Sequence, residues 1–307
     1  MKKVFIDGSA GTTGLRIYER LSQRKDIELV SLPDEIRKDF NARKDIINSS
    51  DIVFLCLPDD AARESVSMVE NPDVCIIDTS TAHRTADGWT YGFPEIGGRH
   101  EKIASSRRVA NPGCHASGFI SLVAPLVELG ILKKDAALTC FSLTGYSGGG
   151  KKMIAQYQEP GRNVLLDAPR QYGLTQKHKH LPEMAVVSGL DKDPVFCPIV
   201  APYYAGMQVT VPVFADMVNT DPAGIAAAYE DYYDGPVVRY CGSSDDGGFL
   251  SAGLFAGKDR MAISVFGNGE RILLTSSFDN LGKGASGAAV QNMNIILGVD
   301  ETTGLEL

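Results

Sequence analysis

The chain has 307 residues, 44% of them hydrophobic and 22% charged, an ordinary globular composition with room for one large domain or two smaller ones. Its 30 basic and 38 acidic residues give a net charge of -8 with no Lys/Arg block, which argues against nucleic acid or an anionic membrane as partner. No apolar run reaches the length of a membrane span, and the stretch from Met1 to Asp7 is too short for a secretory leader. The six cysteines (Cys56, Cys75, Cys114, Cys140, Cys197, Cys241) show no CxxC pairing, and most sit in apolar runs, as buried thiols of a reducing cytoplasm do.

The first third alternates short apolar runs with amphipathic segments. Residues 4–7 read as a strand, and residues 14–24 as a helix with Leu15, Tyr18 and Leu21 at helical spacing. Residues 27–32 read as a second strand. Residues 51–57 form a continuous apolar run, the mark of a strand buried on both faces, followed by a helix-like stretch (59–70) and another buried strand (74–78). This rhythm predicts an α/β, doubly wound parallel sheet of Rossmann type. Near residue 113 the rhythm changes. Residues 137–144, 195–213 and 237–242 are strand-like, and two alternating runs within 260–278 flank Gly267-Asn268-Gly269-Glu270, a hairpin signal. This part reads as an α+β domain with a mixed or antiparallel sheet. Residues 283–297 are helical again, with Val290, Met293 and Ile296 spaced by three.

Four stretches carry chemistry. Gly8, Gly11 and Gly14, with Thr12 and Thr13 between them, form a GxxGxxG turn after the first strand. Glycines there let a pyrophosphate approach the helix N-terminus, where free N–H groups favour anions. The second strand ends at Ser31-Leu32-Pro33 without the acid that would hold NAD ribose hydroxyls, which favours NADP, with Ser31, Arg37 and Lys38 as phosphate partners or Arg37 and Lys38 as a solvated loop. Asn111-Pro112-Gly113 is a turn signal immediately before an apolar helical stretch, so Cys114 starts a helix, a position that favours thiolate and suits a nucleophile. His178 and His180 stand two apart before Pro182-Glu183, and three readings compete: a general acid/base partner of Cys114, a zinc pair with no recognisable third ligand, or surface histidines before a helix. Arg84 follows the fourth strand at the edge where parallel sheets bind ligands. Ser147, Gly148 and Lys151 lie in a glycine-rich loop, 144–152, which is either an anion site or a plain connector.

Taken in order, residues 8–14, 78–84, 91–95, 111–118, 143–152, 177–184 and 279–294 resemble the N-acetyl-gamma-glutamyl-phosphate reductases in their short form. The resemblance covers nearly the whole chain. It implies a glyceraldehyde-3-phosphate dehydrogenase-like fold, with residues 1–113 and 282–307 forming the dinucleotide-binding domain and 114–281 the catalytic and oligomerisation domain. It also implies an enzyme of arginine biosynthesis that uses NADP and a small acyl-phosphate substrate, needs no metal, and forms a dimer or tetramer. Cys114 is then the acyl-accepting nucleophile and His180, rather than His178, the acid/base. Asn280, Lys283 and Gly284 lie near the nicotinamide. The chain departs from the long form at His115, where tyrosine is common, and at residues 80–84. Either His83 or His115 is left as a further phosphate ligand, and aspartate-semialdehyde dehydrogenase is the alternative activity.

Overall fold

Residues 1–242 and 244–307 are described by a computed structural model, in which the chain forms two units. The first comprises Met1–Pro94, Gly98–Pro112 and Ala285–Leu305; the second comprises Glu95–Gly97, Gly113–Gly284 and Glu306–Leu307.

The first unit runs β1 (Lys2–Asp7), α1 (Thr12–Leu21), β2 (Ile27–Val30), α2 (Phe40–Ser49), β3 (Ile52–Leu55), α3 (Asp59–Ser67), β4 (Cys75–Asp78), β5 (Thr90–Tyr91), α4 (Arg99–Ser105) and β6 (Arg108–Ala110). Its strands form one parallel sheet in the order β2-β1-β3-β4-β6-β5. The apolar runs are central strands, and every residue of β3 and β4 is buried. The order turns back at β1, with β2 on one side and β3 on the other, and ligands bind at such a switch point. Helix α2 had no counterpart in the sequence reading. Only Arg43 and Ile47 of it are buried, so its apolar stripe is too thin to announce a helix, and Asp39 caps it by accepting the Ala42 N–H. Arg43 spends its burial on charge: it donates to Asp7 at the end of β1 and to Glu64 on α3.

The second unit runs α5 (Cys114–Glu128), β7 (Thr139–Gly145), α6 (Gly150–Gln158), β8 (Arg170–Gln171), α7 (Leu181–Ser188), β9 (Val195–Ala201), β10 (Met207–Phe214), α8 (Pro222–Tyr232), β11 (Val238–Tyr240), β12 (Met261–Gly267) and β13 (Arg271–Phe278). Its seven strands form a mixed sheet in the order β11-β12-β13-β10-β7-β9-β8. The expected hairpin is β12–β13, antiparallel and closed at Gly267–Ile272. The run 195–213 is two strands rather than one. A turn holding Gly206 at φ 119 separates β9 from β10, and a Cβ there would meet the Ala252 carbonyl oxygen at 2.3 Å. Helix α5 is buried from His115 to Val127. Gly118 lets it settle on the sheet, since a Cβ would lie 2.3 Å from Val209 Cγ2.

The chain then returns to the first unit as α9 (Gly287–Leu297). The helix expected over 283–297 is preceded by a π-helical turn, Gly282–Ser286, so its regular part starts four residues late.

Candidate active site

In the first unit, β1, β2 and β3 end on a cavity of about 340 Å³ lined by Gly8, Ser9, Ser31, Arg37, Lys38 and Leu57 among others. The glycine turn shapes it by close approach. Gly8 has φ 91, and a Cβ would strike the Cys56 carbonyl oxygen at 2.4 Å; a Cβ at Gly14 would strike the Gly8 oxygen at 2.4 Å. Gly11 N–H closes the turn onto Gly8 O at 3.0 Å, and α1 starts at Thr12 with Thr13 in its first turn. Backbone therefore forms the glycine-turn side of the cavity wall, as a pyrophosphate cradle requires, and these residues fit a dinucleotide. Asp7, the one acid at the strand tip, is neutralised by Arg43 at 3.0 Å.

In the second unit, Gly113 is the N-cap of α5 and Cys114 its first residue, half-buried. The first intrahelical bond runs from Ser117 N–H to Gly113 O, so the N–H groups of residues 114–116 precede the ladder at the positive end of the helix. The turn before α7 brings two histidines to the same place. The His115 ring lies 6.0 Å from that of His178 and 5.5 Å from that of His180, centroid to centroid, and His178 and His180 are 4.8 Å apart. Leu181 N–H bonds back to His178 O, and this turn makes the rings converge.

The convergence assigns different chemistry to each ring. Glu183, 1% exposed, accepts the Gly113 N–H at 3.2 Å with one oxygen and faces His180 Nε2 at 3.8 Å with the other. A buried carboxylate there supports a positive charge on His180. Burial, with the Lys179 charge added, lowers the pKa of His178, and its Nδ1 accepts the His180 N–H at 3.3 Å. Neutral His178 is thus the Nε2–H tautomer, a donor rather than a base. His115 is buried, and burial, with His178 added, pushes it down to about 3. Both its ring nitrogens are bonded, to Ser142 and Tyr172, which removes it from the candidate phosphate ligands. His83 is in the first unit, held by Asp78 at 2.6 Å and stacked on Trp89.

The remaining expected site residues are more tightly wired than their sequence suggested. The loop 144–152 is no flexible connector: it forms a 3-10 turn, Tyr146–Gly149, and the start of α6, with Gly148 and Lys151 exposed. Ser147 is buried and accepts from Asn280 Nδ2 at 3.0 Å, while Asn280 Oδ1 accepts the Gly206 N–H at 2.9 Å. Lys283, 1% exposed, donates to both oxygens of Glu95 at 2.8 Å. Gly284 packs on Cys114, for a Cβ there would lie 2.9 Å from Cys114 Cβ. In the first unit, the Arg84 guanidinium donates to the carbonyls of Asn111 and Thr79. Sequence reasoning gave no role to Glu183, Tyr172 or Glu95. Only Glu183 had a local signal, three residues after His180. Among the described residues no group of three or more His, Cys, Asp and Glu side chains is arranged to hold a metal ion, and no helix is long and apolar enough to cross a membrane.

Residues 114–280 match the family described as semialdehyde dehydrogenase, dimerisation domain, and residues 34–105 match semialdehyde dehydrogenase, NAD binding domain. The chain is 47% identical over 318 residues to the N-acetyl-gamma-glutamyl-phosphate reductase 2 of Nostoc sp., covering 99% of each. It is 47% identical over 305 residues to the N-acetyl-gamma-glutamyl-phosphate reductase of Rhizobium etli, covering 96% of this chain and 98% of that one. The aspartate semialdehyde dehydrogenase II of Vibrio cholerae shares the fold, with a TM-score of 0.72 at 15% identity over 97% of this chain and 98% of that one. With full-length identity at this level, the chain belongs to the N-acetyl-gamma-glutamyl-phosphate reductases of the semialdehyde dehydrogenase family.

Proposed function

We propose that this chain reduces N-acetyl-L-glutamyl 5-phosphate with NADPH, giving N-acetyl-L-glutamate 5-semialdehyde and phosphate. The observation that carries the reaction type is Cys114 at the first position of a buried helix, in a cluster where Glu183 faces His180. The substrate is the one named for relatives that this chain matches end to end.

The Cys114 thiolate attacks the acyl carbon. An S–C bond forms, the C–O bond to phosphorus breaks, and phosphate leaves with the electron pair. The thioester that results splits one hard step into two. NADPH, when bound, supplies the hydride that reduces the thioester carbon. Backbone N–H groups at the start of α5 stabilise the oxyanion of the thiohemiacetal, and its collapse breaks the C–S bond and restores the thiolate. His180, with Glu183 behind it, holds the proton that balances these charges, while His178 braces the substrate through Nε2–H. Gly148, Lys151 and Arg84 remain the proposed substrate contacts.

In the first unit, Gly8, Gly11, Thr12, Thr13 and Gly14 hold the pyrophosphate, and Ser31, Arg37 and Lys38 meet the 2′-phosphate. Arg37 is paired with Asp34 at 3.3 Å, but both are exposed, and such a pair yields readily to a phosphate. Six cysteines, none in a disulfide, support a reducing cytoplasmic setting. The face of the mixed sheet turned away from α5 carries exposed Phe141, Val195 and Leu273, and a second copy of the chain is its proposed cover.

Cys114→Ser is expected to abolish turnover while NADPH still binds, measured by fluorescence titration. Iodoacetamide should label Cys114 first, because burial pushes the Cys56 thiol up to about 12 and raises those of Cys75 and Cys140. An active serine variant, or equal labelling of all the thiols, contradicts the assignment.

His180→Asn is expected to lower kcat by at least about 10²-fold, the contribution of a positioned proton carrier. His178→Asn should mainly raise KM. Steady-state kinetics with the opposite pattern would exchange the two roles.

NADPH is expected to exceed NADH in kcat/KM. Arg37→Ala should lower the NADPH value by about tenfold, one charge-assisted hydrogen bond's worth, with the NADH value little changed. Equal losses for both cofactors would remove Arg37 from the phosphate site.

A further inference from the structure

At the carboxyl end of β4, in the first unit, a short turn is built around one imidazole ring. Asp78, fully buried, accepts the Ser80 N–H at 2.9 Å, the Ser80 hydroxyl at 2.8 Å and a bond from His83 Nδ1 at 2.6 Å. The turn is pinned on both sides. Thr79 donates its N–H and its hydroxyl to the Leu55 carbonyl on β3, and Thr81 donates both of its groups to Asp59 on α3. The His83 ring lies flat on Trp89, with centroids 4.1 Å apart at 12°, and Trp89 packs on the core of the unit. A carboxylate only accepts, so Nδ1 carries the proton of the bond to Asp78. Nε2 is what remains. It has no hydrogen-bond partner among the described residues, and the side chain keeps 11% of its surface exposed.

The order of the sheet points to what meets Nε2. In the proposed function the glycine turn after β1 takes the pyrophosphate, and Ser31, Arg37 and Lys38 past β2 take the adenosine half. The order β2-β1-β3-β4 leaves the ends of β3 and β4 to the other half. Neighbouring strands are about 4.8 Å apart, so the end of β4 is about 10 Å from the glycine turn, a span that a nucleoside joined to the pyrophosphate covers. We propose that His83 Nε2 forms a hydrogen bond with a hydroxyl of the nicotinamide ribose, and that Asp78 and Trp89 hold the ring for it. A hydroxyl suits Nε2 in either charge state of the ring, because it donates to the neutral form and accepts from the charged one. This deepens the proposed function and rests on its dinucleotide reading.

The test is calorimetric titration of the full chain with NADP+ and with adenosine 2′,5′-bisphosphate, which carries the adenosine half alone. His83→Asn keeps an N–H in the place of Nδ1 for Asp78 and has nothing at Nε2. His83→Gln puts an amide where Nε2 was, and the amide can turn its oxygen or its nitrogen to the ligand. His83→Asn should weaken NADP+ by about fivefold, one neutral hydrogen bond's worth, and leave the bisphosphate unchanged, which also shows that the variant is folded. His83→Gln should stay closer to the native affinity. Trp89 is the one tryptophan of the chain, so its emission should respond to NADP+ and not to the bisphosphate. Unchanged NADP+ affinity in His83→Asn overturns the proposal, as does an equal loss for both ligands or a Trp89 emission indifferent to NADP+. So does a Gln variant weaker than the Asn variant, the order that a ring serving only Asp78 would give. The 3-acetylpyridine analogue of NADP+ keeps the ribose and lacks the carboxamide; if His83→Asn leaves its affinity unchanged, the ribose assignment is wrong. A native chain that binds neither NADP+ nor the bisphosphate would sink the dinucleotide reading itself, and this proposal with it.

Discussion

A carboxylate with almost no access to water must be compensated on the spot, and Glu183 is compensated by two separate pieces of chain at once. Its oxygens meet the Gly113 N–H, which opens α5, and the ring of His180, which opens α7. The geometry of the second unit follows from that constraint. Because the same acid ties down both turns, the segments that carry Cys114 and His180 are set by one another rather than by two independent loops. The turns obey local rules: glycine supplies the extended N-cap of α5, and Pro182 enters α7 in its first turn. Neither rule alone would bring Cys114 and His180 together.

Glycines set what can approach the reacting groups. At Gly8 and Gly14 the sheet and the first helix come so close that any side chain would strike the backbone of Cys56 or Gly8, and at Gly284 the turn after β13 is pressed against Cys114. The charges nearby are paired off internally: Asp7 with Arg43 in the first unit, Lys283 with Glu95 in the second. In the proposed reading, backbone N–H at helix starts and exposed cations serve the ligands, which suits a negatively charged chain that must bind phosphates locally.

Those features that obey short-range rules were legible in the sequence. Asn-Pro-Gly before an apolar run placed Cys114 at a helix start, β3 and β4 were plain from continuous burial, and Gly267 to Glu270 marked the β12–β13 turn. What was not legible depends on partners far away in the chain. Ser142, His115 and Tyr172 come from three elements, and no spacing links them. Arg43 sits on a helix whose thin buried stripe hid it, because its partner Asp7 lies 36 residues away. The run 195–213 read as one strand because the separating turn carries Tyr203 and Tyr204, apolar by pattern, which masked the break signals Pro202 and Gly206. Lys283 read as a ligand-facing base, and its pairing with Glu95 is invisible without the fold.

The central claim concerns which acyl phosphate Cys114 accepts, since the shared fold also serves aspartate semialdehyde dehydrogenases. The direct measurement is the initial rate of NADP+ reduction with N-acetyl-L-glutamate 5-semialdehyde and with L-aspartate 4-semialdehyde, each with and without inorganic phosphate. The expected result is phosphate-dependent NADPH formation with the N-acetylated aldehyde, at a kcat/KM at least about 10²-fold above that for the aspartate compound, as hydrogen-bonding sites discriminate between substrates. Faster oxidation of aspartate semialdehyde, or a rate that does not depend on phosphate, would contradict it.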